Sequence, residues 1–595
     1  MSVVTDIWRV LGPAQKRQVL AAQVISLLMA LSTVIGIAAI APFFAVLGNP
    51  QLIDRYRPLH WIYLHGGFPG KRAFVMALGI AFIAAVLLSN LINALGSMAM
   101  TRLASGIADQ LQATLFDEYL SRPYAFHART HTATLFNNII WETRLFGNVI
   151  LENVFLIVTN AATGALIILS VLLLNPAISL TMLVGLAGGY AVIYFRIRKR
   201  LLDLGRRHSR ACTEQAKVVN ETLGAIKEVL LLQDRGLFSR GLEQTTRSVS
   251  ETACHIHHLG HIPKHIMECL AVTALVGIAL LLNEDHMGAG AWLGELTFVA
   301  FAAYRLLPIM QQVYLAAVRV GAARAGFELI APDLRLARAT AARAASTAPA
   351  GAQTGWQELP REEILLKGLS FQYAHDRPPA LEGVDLSIPA GAIVGLVGAN
   401  GSGKTTMVDL IAGLLTPTAG KLEIDGIEIN DANRAAWRSR IAYVPQNIFL
   451  LDASVAENIA FGIPPDEIDT ERLIDAARLA QLETLIGLLP GGFNHRVGER
   501  GVALSGGQRQ RIGIARALYR DRAVLLLDEA TGALDEASEA ELMKALGGLR
   551  GRYTVILIAH GPRLVRSCDV VFELENGKVR GCGSPRARTV LGRRQ

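Results

Sequence analysis

The sequence predicts an all-α membrane domain of six transmembrane helices followed by a soluble α/β domain. Three observations predict it: six long apolar stretches before residue 319, a change of composition near residue 330, and strand-like runs alternating with helical patterns from Glu362 onward. Apolar residues form 51% of the 595 and charged ones 18%, with a mean hydropathy of +0.35, the profile of a chain that lives partly in hydrocarbon. The length also exceeds that of one ordinary domain.

The first apolar stretch, 19–48, follows Lys16 and Arg17. It is longer than a signal-peptide core and lacks a small-residue cleavage site, so it reads as a retained span. The others cover 73–100, 146–174, 177–195, 266–283 and 291–318, each long enough for a hydrocarbon core of about 30 Å. The 101–145 connection carries Arg102, Arg122, Arg129 and Arg144, and the 196–264 connection carries thirteen Lys and Arg. The short connections near Asn175 and at 283–291 carry none. Positive charge stays inside, so both long connections and both termini are expected in the cytoplasm. The outer connection 49–72 mixes Arg55, Arg57, Lys71 and Arg72 with Leu59, Trp61, Ile62, Tyr63 and Leu64, which suits a short interfacial helix.

A net charge of +8 fits anionic lipid surfaces and does not point to nucleic acid. The five cysteines are odd in number and lie on the expected cytoplasmic side or its edge, so no disulfide framework is expected. The membrane domain thus spans 1–328. Residues 329–361, rich in Ala, Thr, Pro and Gly, read as a linker, and 362–595 form the α/β domain.

That domain carries nucleotide chemistry. Gly398 to Thr405, GANGSGKT, follows the apolar run Ile393–Val397 and precedes the helical pattern MVDLIAGLL, the context a phosphate-binding loop needs. Small residues let backbone N–H groups turn in around the phosphates of ATP, and Lys404 is expected to meet the β- and γ-phosphates while Thr405 holds Mg²⁺. The candidate set is Gly398, Asn400, Gly401, Ser402, Gly403, Lys404, Thr405 and Thr406. Further on, VLLLDE ends in Asp528, a candidate Mg²⁺ group, and Glu529, a candidate general base for the attacking water.

Between these motifs lies LSGGQ, Leu504 to Gln508. With it the sequence resembles the ATP-binding cassette (ABC) transporter family, whose cassettes are α/β P-loop domains. The resemblance implies that Ser505, Gly506, Gly507 and Gln508 meet ATP held by the opposite cassette. One cassette per chain then implies a half-transporter acting as a homodimer. Tyr373 resembles the aromatic that stacks on adenine, and Gln446 the glutamine that contacts Mg²⁺ and the membrane domain. Glu499 lies in a VGERG loop similar to that of exporters, and His560 resembles the switch histidine that senses the γ-phosphate. Asp535 is kept, although Gly532 stands where the family often has Ser and Gly561-Pro562 where it often has Arg. Six spans before one cassette resemble the exporter branch, which implies coupling helices near 122–136 and 226–240 and a place in the bacterial cytoplasmic (inner) membrane.

APFFAVLG, YRLLP and YVPQNIFLLDASVAENIAFG are similar to segments of the flippases for lipid-linked oligosaccharides of bacterial protein N-glycosylation. That likeness implies ATP-driven movement of a polyprenyl-pyrophosphate glycan between leaflets. Lipid A-type lipids, drugs and peptides are rival cargoes, and a non-transporting cassette ATPase is a rival class. Arg305 and Lys264 are the candidate cations for an anionic headgroup, with Lys264 also spaced for an i,i+4 pair with Glu268; Ser89 or Asn90 stands where a further base is expected. The stretch CHIHHLGHIPKHIMEC places Cys254, His258, His261, His265 and Cys269 on one helical face. His258, His261 and His265 are read as headgroup contacts, with a plain polar face and a metal site left open.

Overall fold

The computed structural model describes residues 2–38, 43, 46–47, 53, 57–174, 185, 187–232, 234–284, 291–346, 356, 360–374, 376–529, 536–559 and 562–583. The chain forms two compact units: Met1–Arg122 with His127–Ser346, and Pro123–Phe126 with Thr347–Gln595.

The first unit is helical because a chain in hydrocarbon must satisfy its backbone hydrogen bonds within each rod. It holds α1 (Ser2–Val10), α2 (Pro13–Ala38), α3 (Arg57–His65), α4 (Lys71–Ser121) and, after the short α5 (Tyr124–Arg129), a composite third span. That span runs from α6 (Thr132–Phe136) through π-helical turns at Asn137–Glu142 and Phe146–Leu151, separated by α7 (Thr143–Leu145), into α8 (Glu152–Leu174). Then follow α9 (Gly188–Gly224), α10 (Ile226–Leu231), α11 (Gly236–Glu284) and α12 (Ala291–Ser346). Among the described residues, Pro13–Gly36, Lys71–Ser121, Thr132–Leu169 and Leu306–Thr340 are long and apolar enough to cross a membrane. The span expected at 177–195 falls partly outside the described residues, whereas 266–283 lies within α11 and 291–318 within α12. At 51, 49 and 56 residues, α4, α11 and α12 are far longer than a bilayer requires.

Small residues bring the rods together. A β-carbon on Gly205 of α9 would overlap the Ala322 carbonyl of α12, and one on Gly147 would overlap Ala108 of α4. Around these approaches Phe146 stacks on Phe327 at 5.0 Å between ring centroids, and the Tyr314 hydroxyl donates to the Leu259 carbonyl at 2.8 Å. In contrast Leu27, Leu28, Leu31, Ile80, Ile83, Leu87 and Leu91 point outward, as lipid-facing positions do. A short helix, α3, forms in the 49–72 connection as expected, with Trp61, Ile62 and Leu64 exposed.

The expected linker begins too early at residue 329, because α12 continues as helix to Ser346. Ala and Arg, read as linker composition, are also strong helix formers. Tertiary bonds hold the extension: Asp333 accepts from Tyr119 at 3.0 Å and from Arg122 at 2.8 Å, Arg335 reaches Asp6 at 3.1 Å, and Arg338 reaches Gln15 at 2.8 Å.

The second unit has two sheets. An antiparallel one orders β2 (Leu381–Pro389), β1 (Glu363–Phe371), β4 (Ala419–Ile424) and β5 (Ile427–Glu428) side by side. The other runs β10 (Lys578–Gly583), β9 (Val570–Glu575), β3 (Ile393–Gly398), β8 (Thr554–Ile558), β7 (Val524–Leu527), β6 (Ile441–Val444), parallel except for the edge strand β10. Every residue of β7 and β8 is buried, which explains their unbroken apolar runs, since a parallel sheet is covered on both faces. Helix α13 (Lys404–Ile411) leaves the end of β3, and α14 (Arg434–Arg438) buries Trp437, whose indole N–H donates to the Ile411 carbonyl at 2.7 Å. The remaining described helices are α15 (Val455–Ile459), α16 (Thr470–Leu479), α17 (Glu483–Leu488), α18 (Gly506–Tyr519), α19 (Glu536–Gly547) and α20 (Pro562–Ser567).

Candidate functional sites

In the second unit the turn between β3 and α13 forms one wall of a cavity of about 700 Å³. Gly398 has no room for a side chain, as a β-carbon would overlap the Leu574 carbonyl, and Gly401 and Gly403 sit at φ 81° and 101°, where glycine is at ease. Lys404 is buried and its Nζ donates to the carbonyls of Gly398 and Ala399, both at 2.9 Å, so the ammonium is held across the loop. The buried Ser402 Oγ has no hydrogen-bond partner among the described residues. An orphaned donor inside a loop of inward N–H groups fits a phosphate oxygen.

Asn400, Gly401, Gly403, Thr405, Thr406, Tyr373, Gln446 and Glu529 also line this cavity. Tyr373 packs edge-on to Phe371 at 4.9 Å and shares a hydrogen bond with Thr406 at 3.1 Å, leaving its ring partly exposed. Asp528 is buried at the end of β7 and accepts from the Tyr443 hydroxyl at 3.2 Å. Burial, and then the charge of Asp528, push the nearby Asp409 carboxyl up to about 6. Two crowded carboxyls of this kind fit a cation such as Mg²⁺.

Glu529 has φ 48°, a left-handed backbone that costs a non-glycine residue energy and recurs where function demands an orientation. Its carboxylate accepts from Gln446 Nε2, and its carbonyl accepts from Gln510 Nε2 at 3.2 Å. Ser505 caps α18: its N–H donates to Gln508 Oε1 at 2.8 Å and its Oγ accepts from the Gln508 N–H at 3.3 Å. Ser505, Gly506, Gly507 and Gln508 do not line the cavity of their own chain. Asp535 and His560 lie outside the described residues.

The first unit holds a larger cavity, of about 1010 Å³. Its walls come from both π-helical turns of the third span and from α9, α11 and α12, with Arg144, Arg319, His208, His257, His261 and Glu142 among apolar Trp141, Leu145, Val219 and Leu315. The rings of His257 and His261 stack at 4.2 Å. Burial holds the His261 imidazole below its ordinary range, assisted by His257, Arg319, Lys264 and His265.

The histidine stretch therefore divides. His261 reaches the cavity and brings His257 with it, whereas His258, His265 and Lys264 do not line it. Lys264 lies 3.7 Å from Glu268, as does His265, so the i,i+4 pair seen in the sequence forms. Among the described residues no group of three or more His, Cys, Asp or Glu is placed to hold a metal ion. The side chain of Arg305 lies outside the described residues.

Residues 381–532 match the ABC transporter family and residues 19–259 match the ABC transporter transmembrane region. The chain belongs to the ABC transporter family. It is 31% identical over 476 residues to a protein of Cupriavidus pinatubonensis named ATP-dependent lipid A-core flippase, covering 79% of this chain and 78% of the relative. A protein of the same name from Ralstonia nicotianae is 31% identical over 488 residues, 80% and 79% of the two chains, and one from Methylococcus capsulatus 28% over 565, 94% and 89%. A solved bacterial Atm1-family ABC exporter with ATP bound superposes with a TM-score of 0.78 at 21% identity, covering 97% of this chain and 96% of that one. The fold is that of an ABC exporter, a transmembrane helical domain followed by an α/β nucleotide-binding domain. The ABC transporter is a membrane protein that couples ATP hydrolysis to transport.

Glu142 and Arg319 of this transporter escaped the sequence reading, while His257 entered it only as part of the histidine stretch and Arg144 only as a topology signal. Glu142 had a usable signal, as the one acid in NNIIWETRLFGNVIL, at the start of a long apolar stretch. Arg319 had none, and the histidine stretch did not single out His257, because only helix packing decides which of many basic side chains share a wall.

Proposed function

We propose that this ABC transporter acts as a homodimer in a bacterial inner membrane, with cytoplasmic termini and cassettes, and moves a phosphate-bearing glycolipid from the inner to the outer leaflet. The observation that carries the cargo class is the cavity of about 1010 Å³: Arg144, Arg319, His257 and His261 suit a phosphate, and Trp141, Leu145 and Val219 suit an apolar body. A polyprenyl-pyrophosphate-linked oligosaccharide is the preferred member of that class, on the segments that resemble its flippases. A lipid A-core is the second reading, favoured by the names of the relatives. Both set phosphate beside sugar.

In this reading Lys404 and the N–H groups of 401–406 hold the phosphates of ATP and Tyr373 stacks on adenine. Thr405, Gln446 and Asp528 would hold Mg²⁺, which supplies charge neutralisation at the phosphates. Glu529 takes the proton of the attacking water, with Gln446 orienting its carboxylate. His560 and Asp535 complete the set on the family pattern. Ser505 to Gln508 serve the nucleotide of the second copy.

The homodimer is supported by Leu223, Ile226, Leu230, Leu231, Leu232 and Leu237, which are exposed in the described chain on a connection read as cytoplasmic. So many apolar side chains outside hydrocarbon call for cover, and a second copy supplies it.

Reconstituted protein given ATP is expected to flip a polyprenyl-pyrophosphate glycan, a lipid A-core or both, and the two lipids separate the two readings. Glu529→Gln is expected to lower hydrolysis by at least ~100-fold while ATP still binds. Export of some other class by a wild type that flips neither lipid sinks the cargo assignment.

A further inference from the structure

We propose that Glu142 is a specificity-determining residue that reads the sugar of the cargo, accepting hydrogen bonds from hydroxyl or amino groups next to the phosphate. The inference rests on the phosphate-bearing glycolipid reading above and narrows it to headgroups that donate hydrogen bonds.

Glu142 is 3% exposed and lies in a helix apolar enough to span a membrane. Burying a carboxylate is costly unless something offsets it. Its two hydrogen bonds come from neutral groups, Ser209 Oγ at 2.5 Å and Asn137 Nδ2 at 3.2 Å, and both go to Oε1. Oε2 takes no hydrogen bond from the described residues and occupies the space a β-carbon on Gly326 would fill. Ser209 belongs to α9 and Gly326 to α12, so three elements converge on one carboxylate at the cavity wall.

The backbone is adapted to this placement. Glu142 closes the π-helical turn Asn137–Glu142, an irregularity that re-aims side chains and is frequent at functional sites. Arg144, two residues on, and Arg319 line the same cavity. A carboxylate only accepts and a guanidinium only donates. A bare phosphate suits the arginines alone, whereas a sugar phosphate satisfies both kinds of wall. An acid that merely spaced the helices would not need to face a cavity.

Trp141 lines the cavity beside Glu142, so its fluorescence reports occupancy. The full-length protein is titrated with polyprenyl pyrophosphate, either bare or carrying one N-acetylglucosamine, with Trp141→Phe identifying the signal. Wild type is expected to bind the glycosylated lipid at least ~10-fold more tightly, the scale of a hydrogen bond to a charged group. Glu142→Gln is expected to lose most of that ratio while keeping its affinity for the bare lipid. An unchanged ratio, or equal weakening for both lipids, overturns the role of Glu142. Failure of wild type to bind either lipid instead removes the cargo reading itself. Should Glu142→Gln not fold, Ser209→Ala, which frees the carboxylate from a donor, is expected to change the ratio by several-fold, and no change overturns the proposal.

Discussion

His261 illustrates how much one side chain depends on its neighbours. Burial first, and then His257, Arg319, Lys264 and His265, disfavour its charged form. It is therefore neutral near pH 7.5 and gains its proton only below the ordinary imidazole range. An anionic headgroup favours the protonated ring, so binding takes up a proton and tightens as pH falls. The apparent affinity for a polyprenyl pyrophosphate is expected to rise several-fold between pH 7.5 and 5.5, and His261→Gln to flatten part of that rise. His208, His257, Arg144, Arg319 and Glu142 line the same cavity, and a slope untouched by His261→Gln would overturn the role of His261. At this scale the loop Gly398 to Thr406 was legible as a motif, because its residues are contiguous in the chain. The cavity side chains were not, because they meet from separate helices.

At the scale of elements, α12 shows why a composition shift is weak evidence for a linker. Its last turns are held by side chains from α1, α2 and α4, through Asp6, Gln15, Tyr119 and Arg122. The Arg122 guanidinium joins Glu118 at 2.7 Å and Asp333 at 2.8 Å, and the next residues along the chain, Pro123–Phe126, belong to the second unit. A pair at that point ties the end of α4 to α12 at the first of the expected coupling segments. Asp333→Asn keeps the shape and removes the charge from a pair that is about three-quarters buried. It is expected to leave ATP hydrolysis within about twofold while transport per ATP falls ~10-fold, the scale of one charge-assisted hydrogen bond. Parallel measurement of phosphate release and lipid flipping checks this, and an equal loss of both would reduce the pair to a fold-stabilising role.

For the whole molecule, the exposed apolar side chains around α10 matter most. Leu231 is 86% exposed, and covering such a side chain contributes about 1.5–3 kcal/mol. With two copies in a dimer, Leu231→Asp is expected to lower ATPase activity about tenfold and to shift the detergent-solubilised protein toward monomer, as read by light scattering. A variant that stays dimeric and active would mean that something other than a second copy covers this surface. Sequence by itself determined the two-part architecture, the membrane class and the nucleotide chemistry, since hydropathy and the phosphate loop are written in contiguous residues. Tertiary structure alone decided that His257 and His261 share a cavity with Arg319 and that Glu142 is buried against Ser209 and Gly326. Those outcomes depend on which faces of distant helices meet, and a π-helical turn alters the facing of the residues after it in a way no periodicity count carries.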